Sequence, residues 1–139
     1  MTPEQVALVQ TSFAKVMPIK DSASELFYDR LFEKNPSVRS MFPDDVTNQR
    51  KKLMAALATV VSGLSKPDTI NPAIQALGVK HVAYGAEAAH YGPVGEALIW
   101  TLEQGLGDSF DRKTRDAWIA AYTLLSNEMI EAAEASKAA

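Results

Sequence analysis

The chain has 139 residues, 47% of them hydrophobic, enough for one domain with a buried core. Its formal net charge of −3, with acidic and basic residues interspersed, argues against nucleic acid as a partner. The absence of cysteine excludes disulfides and thiolate metal ligands. No segment is apolar for long enough to span a membrane. The N-terminal MTPEQVALVQ lacks the basic start and apolar run of a signal peptide, so a cytoplasmic location and no membrane contact are expected. No repeat, linker or composition break divides the chain, and a single domain over 1–139 is expected.

The punctuation reads as a series of helix starts. Thr2-Pro3-Glu4-Gln5 is a capping box with proline at the first helical position, and it predicts a helix to about Val16. Ser22-Ala23-Ser24-Glu25 repeats that signal before Leu26, Phe27, Leu31 and Phe32. Asn35-Pro36 ends this helix and opens a short one reaching Phe42. Asp45 then caps a long helix through Leu64, in which Leu53, Leu57, Val60, Val61 and Leu64 recur at helical steps. Lys66-Pro67-Asp68 breaks it, and Asn71-Pro72 predicts a helix to about Val82, followed by a loop at Gly85. Pro93 lies in the first turn of a helix ending near Gly107. Asp111 caps a last helix carrying Trp118, Tyr122, Leu125 and Met129. No segment alternates like a strand. The expected class is all-α, with about seven to eight helices.

Only His81 and His90 can supply imidazole. Their separation, with Gly85 between them, is not a paired zinc spacing, and no nucleophile elbow is present. One histidine is still a complete protein contribution to haem iron, which already has four porphyrin nitrogens. His81 at a helix end, with Leu77 one turn earlier, can present an imidazole and an apolar wall to a flat ring. Taken alone, a histidine on a helix is more often a packed or surface residue than a ligand. Gln49, Leu53 and Leu57 share one helix face, apolar with one amide at its edge. Tyr28 sits among apolar neighbours, where a buried hydroxyl needs a partner. Taken singly, Gln49 also reads as a solvated residue, Tyr28 as a core aromatic and Phe42 as a plug.

In order, the strings Leu26-Phe27-Tyr28-Asp29-Arg30-Leu31-Phe32, Asn35-Pro36-Ser37-Val38-Arg39 through Phe42, Gln49-Arg50-Lys51-Lys52-Leu53, Ala76-Leu77-Gly78-Val79-Lys80-His81, His90-Tyr91 and Ala117-Trp118 with Tyr122 carry a resemblance. The chain resembles the bacterial single-domain globins and the haem domain of flavohaemoglobins over essentially its whole length. The resemblance implies a globin fold around a haem pocket, with haem b as cofactor and His81 as the proximal iron ligand. It implies Tyr28 and Gln49 as a distal pair, Leu53 over the iron and Phe42 against the porphyrin. Leu57 and Leu77 extend the apolar walls. Lys80 and the Arg50–Lys52 cluster are candidates for the haem propionates, and a solvated basic face is the alternative. Lys52 is a minor candidate for a sixth iron ligand, and His90 is read as structural.

Two departures follow from the same comparison. Relatives place a glutamate and a tyrosine in a hydrogen-bond set with the proximal histidine. Tyr91 matches the tyrosine, but the ungapped glutamate position falls on Ala133, with Glu131 and Glu134 close by but rotated away. Without that carboxylate the imidazole is less basic, which disfavours peroxidase-like chemistry. Gly92 also separates Tyr91 from Pro93, where relatives commonly join tyrosine to proline. The expected function is reversible binding of oxygen and other diatomic gases, nitric oxide and carbon monoxide, at pentacoordinate ferrous iron. The alternative is nitric oxide dioxygenase activity. The chain contains no flavin or nicotinamide domain, so sustained turnover would need an external reductase. A monomer or weak dimer is expected.

Overall fold

The structure, a computed structural model, describes residues 1–83 and 85–138. Among them are six α-helices: α1 (Pro3–Val16), α2 (Lys20–Lys34), α3 (Thr47–Gly63), α4 (Pro67–Ala83), α5 (Tyr91–Leu106) and α6 (Arg112–Ala138). Four short 3-10 segments, at Met17–Ile19, Pro36–Met41, Ala88–His90 and Gly107–Ser109, make the turns, and the described residues contain no strand. The all-α expectation holds. The count of α-helices is slightly below the expected seven to eight, because the connections wind as 3-10 turns.

Most starts follow their local chemistry. The Thr2 hydroxyl accepts from Gln5 N–H at 3.1 Å while the Gln5 side chain accepts from Thr2 N–H at 2.9 Å, completing the capping box. The Asp111 carboxylate accepts from Thr114 N–H at 2.8 Å and opens α6. The Asp45 carboxylate accepts from both the amide and the hydroxyl of Thr47, at 3.0 and 2.6 Å, although Val46 holds the cap position itself.

Two starts differ from expectation. The second helix begins at Lys20, so Ser22–Glu25 lies inside it. The 3-10 turn at Met17–Ile19 feeds α2 directly, and Ser24 bonds back to the Asp21 carbonyl at 3.0 Å instead of capping. The fourth helix begins at Pro67, with Pro72 inside it. Pro67 suits a first helical position, whereas Pro72, in the second turn, forgoes one i to i−4 bond without ending the helix. After α4 the chain reverses at Gly85, whose φ of 84° is open to glycine at little cost.

Packing joins distant segments. Phe13 and Trp118 lie 6.1 Å apart between α1 and α6, and Trp118 Nε1 donates to the Ser12 hydroxyl at 2.8 Å. Arg30 ties α2 to α5 through Glu96 at 2.9 Å, with its guanidinium 4.8 Å over the Trp100 ring. Two glycines permit close approach: a Cβ at Gly78 would meet the backbone of Met129, with its Cα at 2.8 Å, and one at Gly95 would meet the Tyr122 ring at 2.7 Å. Val9, Leu31, Ile74 and Trp118 are almost wholly buried in the shared core. Burial of such a side chain is worth roughly 1.5–3 kcal/mol. Among the described residues no helix is long and apolar enough to cross a membrane.

Candidate functional site

The candidate residues fall into two groups, on consecutive and mutually packed helices α3 and α4 and their neighbours. The first is built on α2. Phe27, Tyr28 and Leu31 are drawn into the core, leaving Tyr28 only 4% exposed. Its ring meets Phe27 edge-on at 4.9 Å and Phe42 edge-on at 5.6 Å, with Phe32 completing the aromatic cluster. The side chain of Gln49, in the first turn of α3, lies close enough to the Tyr28 hydroxyl to act on it. Burial drives the phenol up to about 12, and Gln49 pulls the other way. Tyr28 is therefore a protonated donor at any neutral pH.

Phe42 owes its place to Arg39. That guanidinium donates to the carbonyls of Phe42, Pro43 and Asp44 at 3.3, 2.9 and 2.9 Å and lies 4.8 Å over the Phe32 ring. The one trace of this in the sequence is an arginine just upstream of a Phe-Pro turn. Leu53 and Leu57 line a small apolar cavity of about 20 Å³ that reaches Phe27 and Trp118.

The second group surrounds His81 near the end of α4. Its Nδ1 lies 2.7 Å from the Leu77 carbonyl. That bond assigns the proton to Nδ1 and the lone pair to Nε2, the arrangement a metal-ligating histidine adopts. The Tyr91 ring lies 6.3 Å from the His81 ring. Partial burial raises the Tyr91 phenol above its ordinary value. Tyr122 donates its hydroxyl to the Tyr91 carbonyl at 2.6 Å, fixing the start of α5 beside His81. This contact was not foreseen. Ala133 is buried, whereas Glu131 and Glu134 are exposed and Glu134 pairs with Lys137 at 3.7 Å.

Of the other basic candidates, Lys80 and Lys52 are exposed. Arg50 differs from expectation: it turns towards α2, donating to the Asp21 carbonyl at 3.0 Å and to the Ser24 hydroxyl at 3.3 Å. His90 accepts from Glu87 N–H at 2.9 Å and closes the 3-10 turn before α5, a structural task.

A helical domain with an imidazole bonded through Nδ1 on α4, a buried phenol on α2 and an amide beside it on α3 has the makings of a globin. The globin family profile matches residues 25–129, and the chain belongs to the globin family. Among its relatives are flavohaemoproteins of Bordetella parapertussis, 30% identical over 94% of this chain, and of Vibrio cholerae, 24% identical over 94%. The chain spans only 33% of the length of the first of these and 34% of the second. A bacterial globin from Campylobacter jejuni has the same fold, with a TM-score of 0.89 at 21% identity, over 99% of this chain and all of that one. A carbene transferase engineered from a candidate nitric oxide dioxygenase of Rhodothermus marinus gives a TM-score of 0.90 at 25% identity, over 99% and 96% of the two chains.

Globins carry haem, and the residues here suit that group on two counts. His81 offers the single nitrogen that a porphyrin-held iron requires. Phe42, Leu53, Leu57, Leu77, Tyr91 and Val94 are apolar or aromatic yet only partly buried against the core. A flat apolar ring would cover such surface.

Proposed function

We propose that the chain is one globin domain over 1–139, holding haem b through His81 and binding oxygen, nitric oxide and carbon monoxide reversibly. What supports this reading is the buried Tyr28 hydroxyl, with Gln49 beside it, inside an otherwise aromatic and apolar wall. Haem supplies a ferrous iron able to bind a diatomic gas. Leu77 holds the His81 ring through its carbonyl, and Leu53 and Phe42 exclude water from the gas side. When Gln49 donates an amide N–H to the Tyr28 oxygen, the phenolic proton is left to point at a polar guest. Each such bond is worth about 1 kcal/mol net, more towards a charged acceptor. A guest with negative charge on its outer atom would therefore be held more firmly by Tyr28 than a less polar one, which would favour oxygen over carbon monoxide.

His81 bonded to a neutral carbonyl is a modest electron donor, and buried Ala133 supplies no carboxylate to strengthen it. This favours reversible binding over peroxidase-like chemistry. The second reading, nitric oxide dioxygenase served by a separate reductase, draws support from the names of the flavohaemoprotein relatives and of the Rhodothermus neighbour.

The visible spectrum of the purified protein tests the proposal, taken as isolated, after dithionite reduction and then under oxygen. A Soret band that moves to a stable oxygenated spectrum is expected. No Soret band after added hemin would overturn it, and rapid nitrate formation with a reductase would shift the weight to the second reading.

A further inference from the structure

We propose that Arg50 is a positioning residue that sets the spacing of the Tyr28–Gln49 pair from outside the pocket, an inference that rests on the distal role just proposed for that pair. Gln49 lies in the first turn of α3 and Tyr28 in the middle of α2. The influence of Gln49 on the Tyr28 hydroxyl depends on the separation of the two helices, since a polar contact of this kind weakens steeply beyond about 3.2 Å. Arg50 is the next residue after Gln49. Its Nη2 donates to the Asp21 carbonyl at 3.0 Å and its Nε to the Ser24 hydroxyl at 3.3 Å, with the Glu25 carboxylate at 3.9 Å.

Ser24 is one helical turn before Tyr28 on the same face. It is 2% exposed, a buried hydroxyl that accepts from Arg50 and donates to the Asp21 carbonyl at 3.0 Å. A planar guanidinium with two directed contacts fixes both distance and angle between the helices, which a point charge cannot do. The clamp therefore stands one turn from the polar pair and is attached to the residue adjoining its amide partner. These contacts face α2, so Arg50 acts through Gln49 and Tyr28 and not by touching the gas.

The test follows the Gln49 side-chain amide by ¹⁵N NMR in the ferrous carbon monoxide form, comparing Arg50→Ala, Arg50→Lys, Tyr28→Phe and the parent. Tyr28→Phe should move the Gln49 amide signals, and Arg50→Ala should move them in the same direction. Arg50→Lys should restore them only in part. Oxygen release from Arg50→Ala should be about five- to tenfold faster, and the double variant should release oxygen no faster than Tyr28→Phe alone. Should Arg50→Ala fold poorly, the partial shift in Arg50→Lys decides the matter. If Tyr28→Phe moves the signals and neither Arg50 variant does, the clamp is wrong and the distal reading stands. If Tyr28→Phe also leaves them unmoved, the pair itself is absent and both claims fall. If the chain takes up no haem, the proposed function fails, and the same spectra of the haem-free protein still decide the clamp.

Discussion

Tyr28, buried, and Tyr122, partly buried, both have raised pKa values, and desolvation is the leading cause for each. Their hydroxyls serve different ends. Tyr28 stands beside Gln49 at the edge of a candidate gas pocket, whereas Tyr122 bonds the Tyr91 carbonyl at 2.6 Å and closes a helix start. Tyr28→Phe should accelerate oxygen dissociation about tenfold, the effect of about 1.4 kcal/mol, measured by stopped-flow displacement with carbon monoxide. Tyr122→Phe should leave that rate nearly unchanged and lower unfolding stability by about 1–2 kcal/mol, read from urea titration. The opposite pattern would exchange the roles of the two residues. Tyr28 was legible in the sequence as a buried phenol among apolar neighbours, and it is 4% exposed. Arg39 was marked only by its place just upstream of Phe42-Pro43, and the contacts of Arg50 were not legible at all, since its partners are a backbone carbonyl and a buried serine on another helix.

At the level of elements, α4 shows what local signals convey and what they miss. Asn71-Pro72 looks like a helix start, yet the helix already runs from Pro67 and continues past Pro72. Tertiary packing outweighs the lost N–H, because Ile70 and Ile74 are both buried against the core. The stretch from Ala76 to His81 was legible as helix, but the role of Gly78 was not. Its Cα lies where any side chain would strike the backbone of Met129 on α6, and backbone cannot swing aside as a flexible side chain can. Gly78→Ala should therefore force α4 away from α6. The expected cost is about 1–3 kcal/mol of stability, with faster loss of haem because His81 rides on the same helix. Chemical denaturation and hemin transfer to a scavenger globin measure the two effects, and an unaltered midpoint would show that the helices yield without strain.

For the whole molecule, the burial of tyrosines makes alkaline stability an informative global property. An unfolded tyrosine ionises near about pH 10, while folded Tyr28 holds its proton to about 12. Between those values the unfolded chain releases a proton that the folded chain keeps. By linkage, stability is unaffected by Tyr28 below about pH 10 and falls as the pH rises towards 12. The slope for one such group is about 1.4 kcal/mol per pH unit. Tyr122 contributes in the same direction, and lysines add a background of their own. Comparison of the parent with Tyr28→Phe cancels those shared contributions. Urea unfolding across the alkaline range should give a plainly shallower decline for the variant, by about 1.4 kcal/mol per pH unit at most. Equal slopes would mean that Tyr28 titrates as though in water. The aromatic wall around it would then be open to solvent, and a phenol there would hydrogen-bond water as readily as a gas.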